Sequence, residues 1–309
     1  MMTLIYTLSG LILFYFLVSA LIGILMIRLF IYPKTFSLDY ARKECIENGE
    51  FTEEDLTGYE LQDFTVESPF GYTLEGVYSK GSRPEKTVIL VHGHTWNWMG
   101  QVKYFPLYRN RGYNLIAYNH RFHGSSGGEF CSGGYYEKQD LKAVADKARE
   151  LFPGTKLLGL MGESLGAATV LQSMTEIDNL SFVHADCPYN DLTELFAHQL
   201  KLKQIPRLFH KPAIGAGKMY LKKKGGFSLE DVSPRQALCS TRTPVLLIHG
   251  REDWYVPTAM SESMKEDRPE NTSLVLVPGA VHAKSIQTAP ELYAEATETF
   301  LEELESENS

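Results

Sequence analysis

The chain has 309 residues, 44% of them hydrophobic and 22% charged, the proportions of an ordinary globular protein rather than a disordered or collagen-like one. That length suffices for one large α/β domain or two small ones. A formal net charge of -8 excludes the basic footprint that phosphate backbones require, so no nucleic-acid partner is expected.

The first charged residue is Arg28, after an apolar run from Leu4 to Ile27. At ~1.5 Å rise per residue, such a run crosses a ~30 Å hydrocarbon core with some tilt. Residues 1–32 are therefore predicted to form a transmembrane helix that anchors the protein in the cell membrane as a single-pass chain. A cleaved signal peptide is the rival reading, because Val18-Ser19-Ala20 resembles a cleavage site. Against it, no Lys or Arg precedes the run, and the run is longer than a signal's apolar stretch. Arg28, Lys34, Arg42 and Lys43 all follow the run, which places the remainder on the cytoplasmic side by the positive-inside rule. Cys45, Cys131, Cys187 and Cys239 form no C-x-x-C and suit free thiols in a reducing compartment.

Residues 33–60 read as a juxtamembrane linker with one helical stretch that breaks at Gly49. "DFTVES" and "GYTLEGVYS" then have the alternation and turn punctuation of an antiparallel hairpin. Six apolar runs follow, beginning at Thr87, Tyr113, Thr155, Leu180, Thr243 and Thr272, with helix-length segments between most of them. That rhythm predicts an α/β fold over residues 61–309, with a mostly parallel sheet and helices on both faces. Residues 189–233 exceed what a crossover needs and hold Pro206 and Pro212, so they read as a small cap inserted after the sixth strand, over the strand ends. Lys222-Lys223-Lys224 within them reads as a solvated loop.

Chemistry concentrates at the carboxyl ends of these strands, where open parallel sheets bind ligands. Gly162-Glu163-Ser164-Leu165-Gly166 follows one strand and opens a helix, a G-x-S-x-G turn that can expose a serine hydroxyl. A serine helix cap explains Ser164 equally well but leaves both glycines unexplained. A hydroxyl needs a base, and the base needs an orienting acid. His282 in "PGAVHAKS" and Asp253 in "HGREDWYVP" sit at later strand ends, in the order Ser, Asp, His; Asp186 and Glu252 are competing acids. The backbone N–H of Leu165 and that of His94, in "VHGHTWNW", are placed to hold an oxyanion, with Thr95 as a fallback donor. His92 reads as structural and Glu163 is given no catalytic role. Trp96, Trp98, Tyr189, Leu195 and Phe196 are candidates for an acyl pocket.

With Ser164, Asp253, His282 and the His92-Gly93 turn, residues 61–301 resemble the α/β-hydrolase superfamily. "YNHRFHGSSGG" is similar to a loop of that superfamily, with Asn119 where the pattern often has Asp. The hydrophobic N-terminus makes the chain most similar to a bacterial subgroup of single-span, membrane-anchored serine hydrolases, likened to serine aminopeptidases and acylaminoacyl peptidases. The resemblance implies a Ser-His-Asp triad, an acyl-enzyme and no cofactor. It implies a small acyl ester or amide substrate, amphiphilic if tethering reflects the substrate. Carboxylic ester hydrolysis is the leading expectation, and amide or acyl-peptide hydrolysis the alternative. Two other readings are a zinc site at His92, His94, His120 and His123, and a catalytically silent membrane-tethered binding module.

Overall fold

The computed structural model describes residues 2–307. Helix α1 (Met2–Ile31) is long and apolar enough to cross a membrane. Its buried residues Ser19, Gly23, Ile27 and Ile31 recur every fourth position and so form one stripe. Leu17, Leu21, Leu25 and Leu29, on another face, are exposed.

Two short helices follow. In α2 (Leu38–Glu47) the Ser37 hydroxyl accepts the Tyr40 N–H, and α3 (Glu53–Gly58) begins with a reciprocal Thr52–Asp55 capping box. The stretch read as a linker with one helical segment thus holds both α2 and α3. Ala41 and Cys45 share one face of α2, and with Phe51 they are buried in the core of the domain.

The sheet has eight strands in the order β1-β2-β4-β3-β5-β6-β7-β8. Strands β1 (Gln62–Glu67) and β2 (Thr73–Ser79) form the expected antiparallel hairpin. β2 also runs antiparallel to β4. β3 (Lys86–Val91), β4 (Asn114–Tyr118), β5 (Leu157–Glu163), β6 (Phe182–Asp186), β7 (Val245–Gly250) and β8 (Thr272–Val277) are mutually parallel. Every residue of β3, β4, β6 and β7 is buried, as expected for strands covered on both sides.

Helices α4 (Phe105–Arg109), α5 (Glu137–Leu151), α6 (Leu165–Ser173), α9 (Pro234–Cys239), α10 (Ala259–Asp267), α11 (Ser285–Thr288) and α12 (Pro290–Glu307) complete the layers; between α6 and α9, the cap contributes α7 (Leu192–Leu202) and α8 (Arg207–Gly225). One core, with Tyr108, Tyr293 and Phe300, lies on one face of the sheet, and a second, with Leu141, Val170 and Met264, on the other. A third joins Ile27 and Ile31 of α1 to Leu195, Phe196 and Leu221 of the cap.

Lys222, Lys223 and Lys224 are the last turn of α8, which Gly226 closes with a φ of 74°. The expected loop is helical because Ala213, Gly217 and Leu221 bury a continuous stripe of α8. Helices α1 and α8 run side by side in the same direction: the Tyr15 hydroxyl donates to the Leu208 carbonyl at 2.6 Å, and Ile27 meets Gly217 farther along. At their closest approach a Cβ on Gly23 would stand 2.0 Å from the Ala213 oxygen, so only glycine fits there.

Candidate active site

Ser164 occupies the sharp turn between β5 and α6 with φ 54° and ψ -111°, a conformation a non-glycine residue holds only when its surroundings impose it. The surroundings are two glycines. A Cβ on Gly162 would lie 2.4 Å from the backbone of Gly166, and one on Gly166 would lie 2.0 Å from the Val91 carbonyl. The Ser164 side chain does not cap α6; its Oγ lies 2.9 Å from His282 Nε2. The helix-cap alternative is thereby set aside by geometry.

The other face of His282 meets Asp253, with Nδ1 donating to Oδ2 at 2.6 Å. Asp253 is buried in the turn after β7, where its Oδ1 accepts the backbone N–H groups of Tyr255 and Val256 at 2.9 and 2.8 Å. Burial pushes its carboxyl up, but hydrogen bonds from His249, His282 and the Val256 backbone outweigh it, aided by the His282 charge, and hold it down at about 2. The competing acids lie elsewhere. Glu252 is exposed, and the Asp186 carboxyl accepts from the Tyr104 hydroxyl at 3.0 Å. Burial, reinforced by the Glu163 charge, pushes Asp186 up to about 6.

The N–H groups of Leu165, the first residue of α6, and of His94, after β3, donate to no acceptor among the described residues. Both belong to the turns that flank Ser164. The His94 ring donates from Nε2 to the Phe30 carbonyl at 2.8 Å and stacks on the Phe30 ring, with centroids 5.1 Å apart. Thr95, with φ 74°, accepts the Phe36 N–H at 2.9 Å and so ties the same turn to the segment after α1. A cavity of about 300 Å³ opens before Ser164, walled by His94, Trp96, Glu163, Trp254, Tyr255 and His282. Of the candidate pocket aromatics, Trp96 alone lines it; Trp98 packs in the core, and the Tyr189 hydroxyl donates to Gly133.

Two features escape sequence reading. His249 donates from Nε2 to Asp253 Oδ2 at 3.1 Å and to the Val256 carbonyl at 2.9 Å, while its Nδ1 accepts from Ser261 at 2.7 Å. The four-residue spacing of His249 and Asp253 across the strand end was the available signal. Glu163 is buried, bonded through Oε2 to Lys103 at 2.6 Å and to the Tyr104 hydroxyl at 2.7 Å. Burial pulls the Lys103 ammonium down, but Glu163 and Glu50 outweigh it and hold Lys103 charged.

The rings of the four histidines considered for zinc cluster, with centroids 4.6 to 6.3 Å apart, but their nitrogens do not converge on one point, and several are already engaged. His92 Nδ1 donates to the Gly93 carbonyl, its Nε2 accepts the His120 N–H, and His94 is bound to Phe30. Among the described residues, the one set of three ligand atoms within 4.8 Å of one another is Cys187, Asp253 and His282. Its carboxylate and imidazole already serve each other, and burial holds the Cys187 thiol protonated.

The chain is similar in sequence and fold to several known proteins. A family profile described as serine aminopeptidase, S33, matches residues 82–184. The Bacillus subtilis protein YqkD is 30% identical over 285 residues, covering 92% of this chain and 93% of its own. The Pyrococcus furiosus esterase Pf2001 superposes with a TM-score of 0.66 at 25% identity, over 82% of this chain and 94% of that one. The chain belongs to the α/β-hydrolase superfamily. The hydrolase also shares its fold with the Pyrococcus horikoshii acylaminoacyl peptidase, at a TM-score of 0.61 and 19% identity, over 79% of this chain and 41% of the peptidase.

Proposed function

We propose that this hydrolase is a membrane-anchored serine esterase that cleaves carboxylic esters through Ser164, His282 and Asp253. The carrying observation is the unbroken relay from Ser164 Oγ to His282 Nε2, and from His282 Nδ1 to Asp253 Oδ2. His282 takes the proton of Ser164 as Oγ attacks the ester carbonyl, and the oxyanion rests on the N–H groups of Leu165 and His94. The proton then passes to the departing alcohol. Water, activated by His282, releases the acid, while Asp253 holds the imidazole tautomer and offsets the imidazolium charge. The expected anchor is α1, with the catalytic domain on the cytoplasmic side.

An amide or peptide substrate is the second reading, supported by the serine aminopeptidase description of the matching profile. An aminopeptidase needs a free anionic group to receive the substrate ammonium. The carboxylate lining this cavity, Glu163, is already matched by Lys103, which favours the ester. Fluorophosphonate labelling and p-nitrophenyl ester turnover test the nucleophile, and Ser164→Ala should abolish both. Retained labelling in that variant would overturn the assignment. If amides exceed every ester in kcat/KM, the hydrolase is a peptidase on the same relay.

A further inference from the structure

Beside the cavity before Ser164 lies a second, of about 150 Å³, and His94 and Tyr255 stand in the walls of both. Three of its wall residues, Met26, Leu29 and Phe30, belong to α1, and three, Leu192, Leu195 and Phe196, belong to α7. A mainly apolar slot that adjoins the nucleophile's cavity, with Gln199 and Lys203 as polar members of its lining, fits a hydrocarbon chain. One of its two walls is the anchor itself.

The helix geometry sets the depth of that slot. Residues 2–22 of α1 measure ~31 Å at ~1.5 Å per residue, enough for a ~30 Å hydrocarbon core. The boundary then lies near Gly23, where α8 packs through Ala213. Because α8 runs beside α1 and Leu208 meets Tyr15, the first turn of α8 lies roughly 10 Å below that boundary and the helix climbs from there through the headgroup layer. Leu208 is 59% and Met219 76% exposed, so α8 presents apolar side chains outward as well as bases. Arg207 and Lys211 have stems long enough to reach back to the headgroups. Met26 to Phe30 lie roughly 5 to 10 Å above the boundary, at headgroup level.

Charge points the same way. From Leu195 to Leu229 the chain carries eight of its 30 Lys and Arg and none of its 38 Asp and Glu. Lys218 pairs with Glu230, and Lys224 lies 3.7 Å from Glu129. Among the described residues, Lys203, Arg207, Lys211, Lys222 and Lys223 make no ion pair. A basic segment beside the apolar helix of an otherwise acidic protein complements an anionic leaflet.

We propose that α8 passes through the headgroup layer of an anionic leaflet alongside α1 and that the slot between α1 and α7 receives the acyl chain of a lipid ester from that leaflet. This rests on the reading of Ser164 as the nucleophile. Ser164 Oγ bonds to the ester carbonyl carbon, its proton passes through His282 to the departing lipid alcohol, and water frees the fatty acid.

The test uses the full chain reconstituted in phosphatidylglycerol or phosphatidylcholine vesicles doped with a fluorogenic long-chain acyl ester, with p-nitrophenyl acetate as the soluble reference. The vesicle-borne ester should turn over at least about tenfold faster on the anionic vesicles. The triple variant Lys211→Glu, Lys222→Glu, Lys223→Glu should lose that advantage, with p-nitrophenyl acetate turnover within about twofold of wild type. Leu29→Trp should lower the ratio of C16 to C4 ester turnover by about fivefold or more, because the indole fills the slot. Equal rates on the two vesicles, or a triple variant that loses both activities in proportion, would overturn the proposal, as would an unchanged chain-length profile in Leu29→Trp. Wild-type protein inert toward p-nitrophenyl acetate and unlabelled by fluorophosphonate would overturn the nucleophile reading itself, and the lipid proposal with it.

Discussion

Asp253 Oδ2 accepts from two imidazoles at once, His282 at 2.6 Å and His249 at 3.1 Å. The second donor restrains the carboxylate from the side away from the substrate and withdraws part of its charge from His282. His249 is thus a positioning residue for the relay. In His249→Gln the Asp253 carboxylate becomes more basic, and kcat should fall about tenfold with KM little changed. The acid limb of kcat/KM should also move to higher pH, measured on enzyme whose active sites have been counted with fluorophosphonate. A limb that stays in place would reduce His249 to a packing residue.

Asp253→Asn should lower kcat by about 10⁴, because the amide offers the wrong hydrogen-bonding partner to His282 Nδ1, while the oxyanion donors leave a residual rate. The same substitution has a stability signature. The folded-state value of about 2 lies below the ordinary aspartate value of 3.8, so the contribution is complete above about pH 4 and is lost as pH falls toward 2. It amounts to about 2 kcal/mol. Urea denaturation of wild type and variant across that window should show the two stabilities converging in acid.

Gly162→Ala and Gly166→Ala each drive a methyl group into backbone that cannot give way, at 2.4 and 2.0 Å. Each should destabilise the fold by about 3 kcal/mol or more, and thermal unfolding should read the loss directly. Wild-type melting temperatures would refute the strain ascribed to the Ser164 turn.

Glu163→Gln removes the partner of a lysine that is itself buried, and should cost about 3 to 5 kcal/mol. Replacing both partners, Lys103→Met with Glu163→Leu, should recover part of that loss, since Glu50, which also faces Lys103, keeps Lys284 at 3.2 Å. Denaturant titration of the single and double variants checks the coupling. Equal losses in the two would mean that packing, not charge, makes the pair matter.

The strands were legible because burial on both faces writes apolar runs: "TKLLGLMG" contains β5, Leu157–Glu163, and "TPVLLIHG" contains β7, Val245–Gly250. The order Ser164, Asp253, His282 was legible for a related reason, since each residue ends or follows a strand whose position was readable. What escaped depends on contacts between distant segments. Nothing local marks Phe30 as a partner of His94, 64 residues away, or Glu163 as a partner of Lys103. The buried face of the helix within residues 33–60 is not legible, because Ala41 and Cys45 are too few to announce it until the core they join is known.

The hydrogen bond from the His94 ring to the Phe30 carbonyl means that no seam separates the long apolar helix from the domain that follows it. A version made by cutting after Ile31 would delete the Phe30 carbonyl that supports the His94 turn along with the greasy helix. A chimaera with a foreign anchor would have to supply that last helical turn in register. Modularity ends within the last turn of α1, and on the function proposed above that helix is as much a support of the reaction centre as a means of attachment.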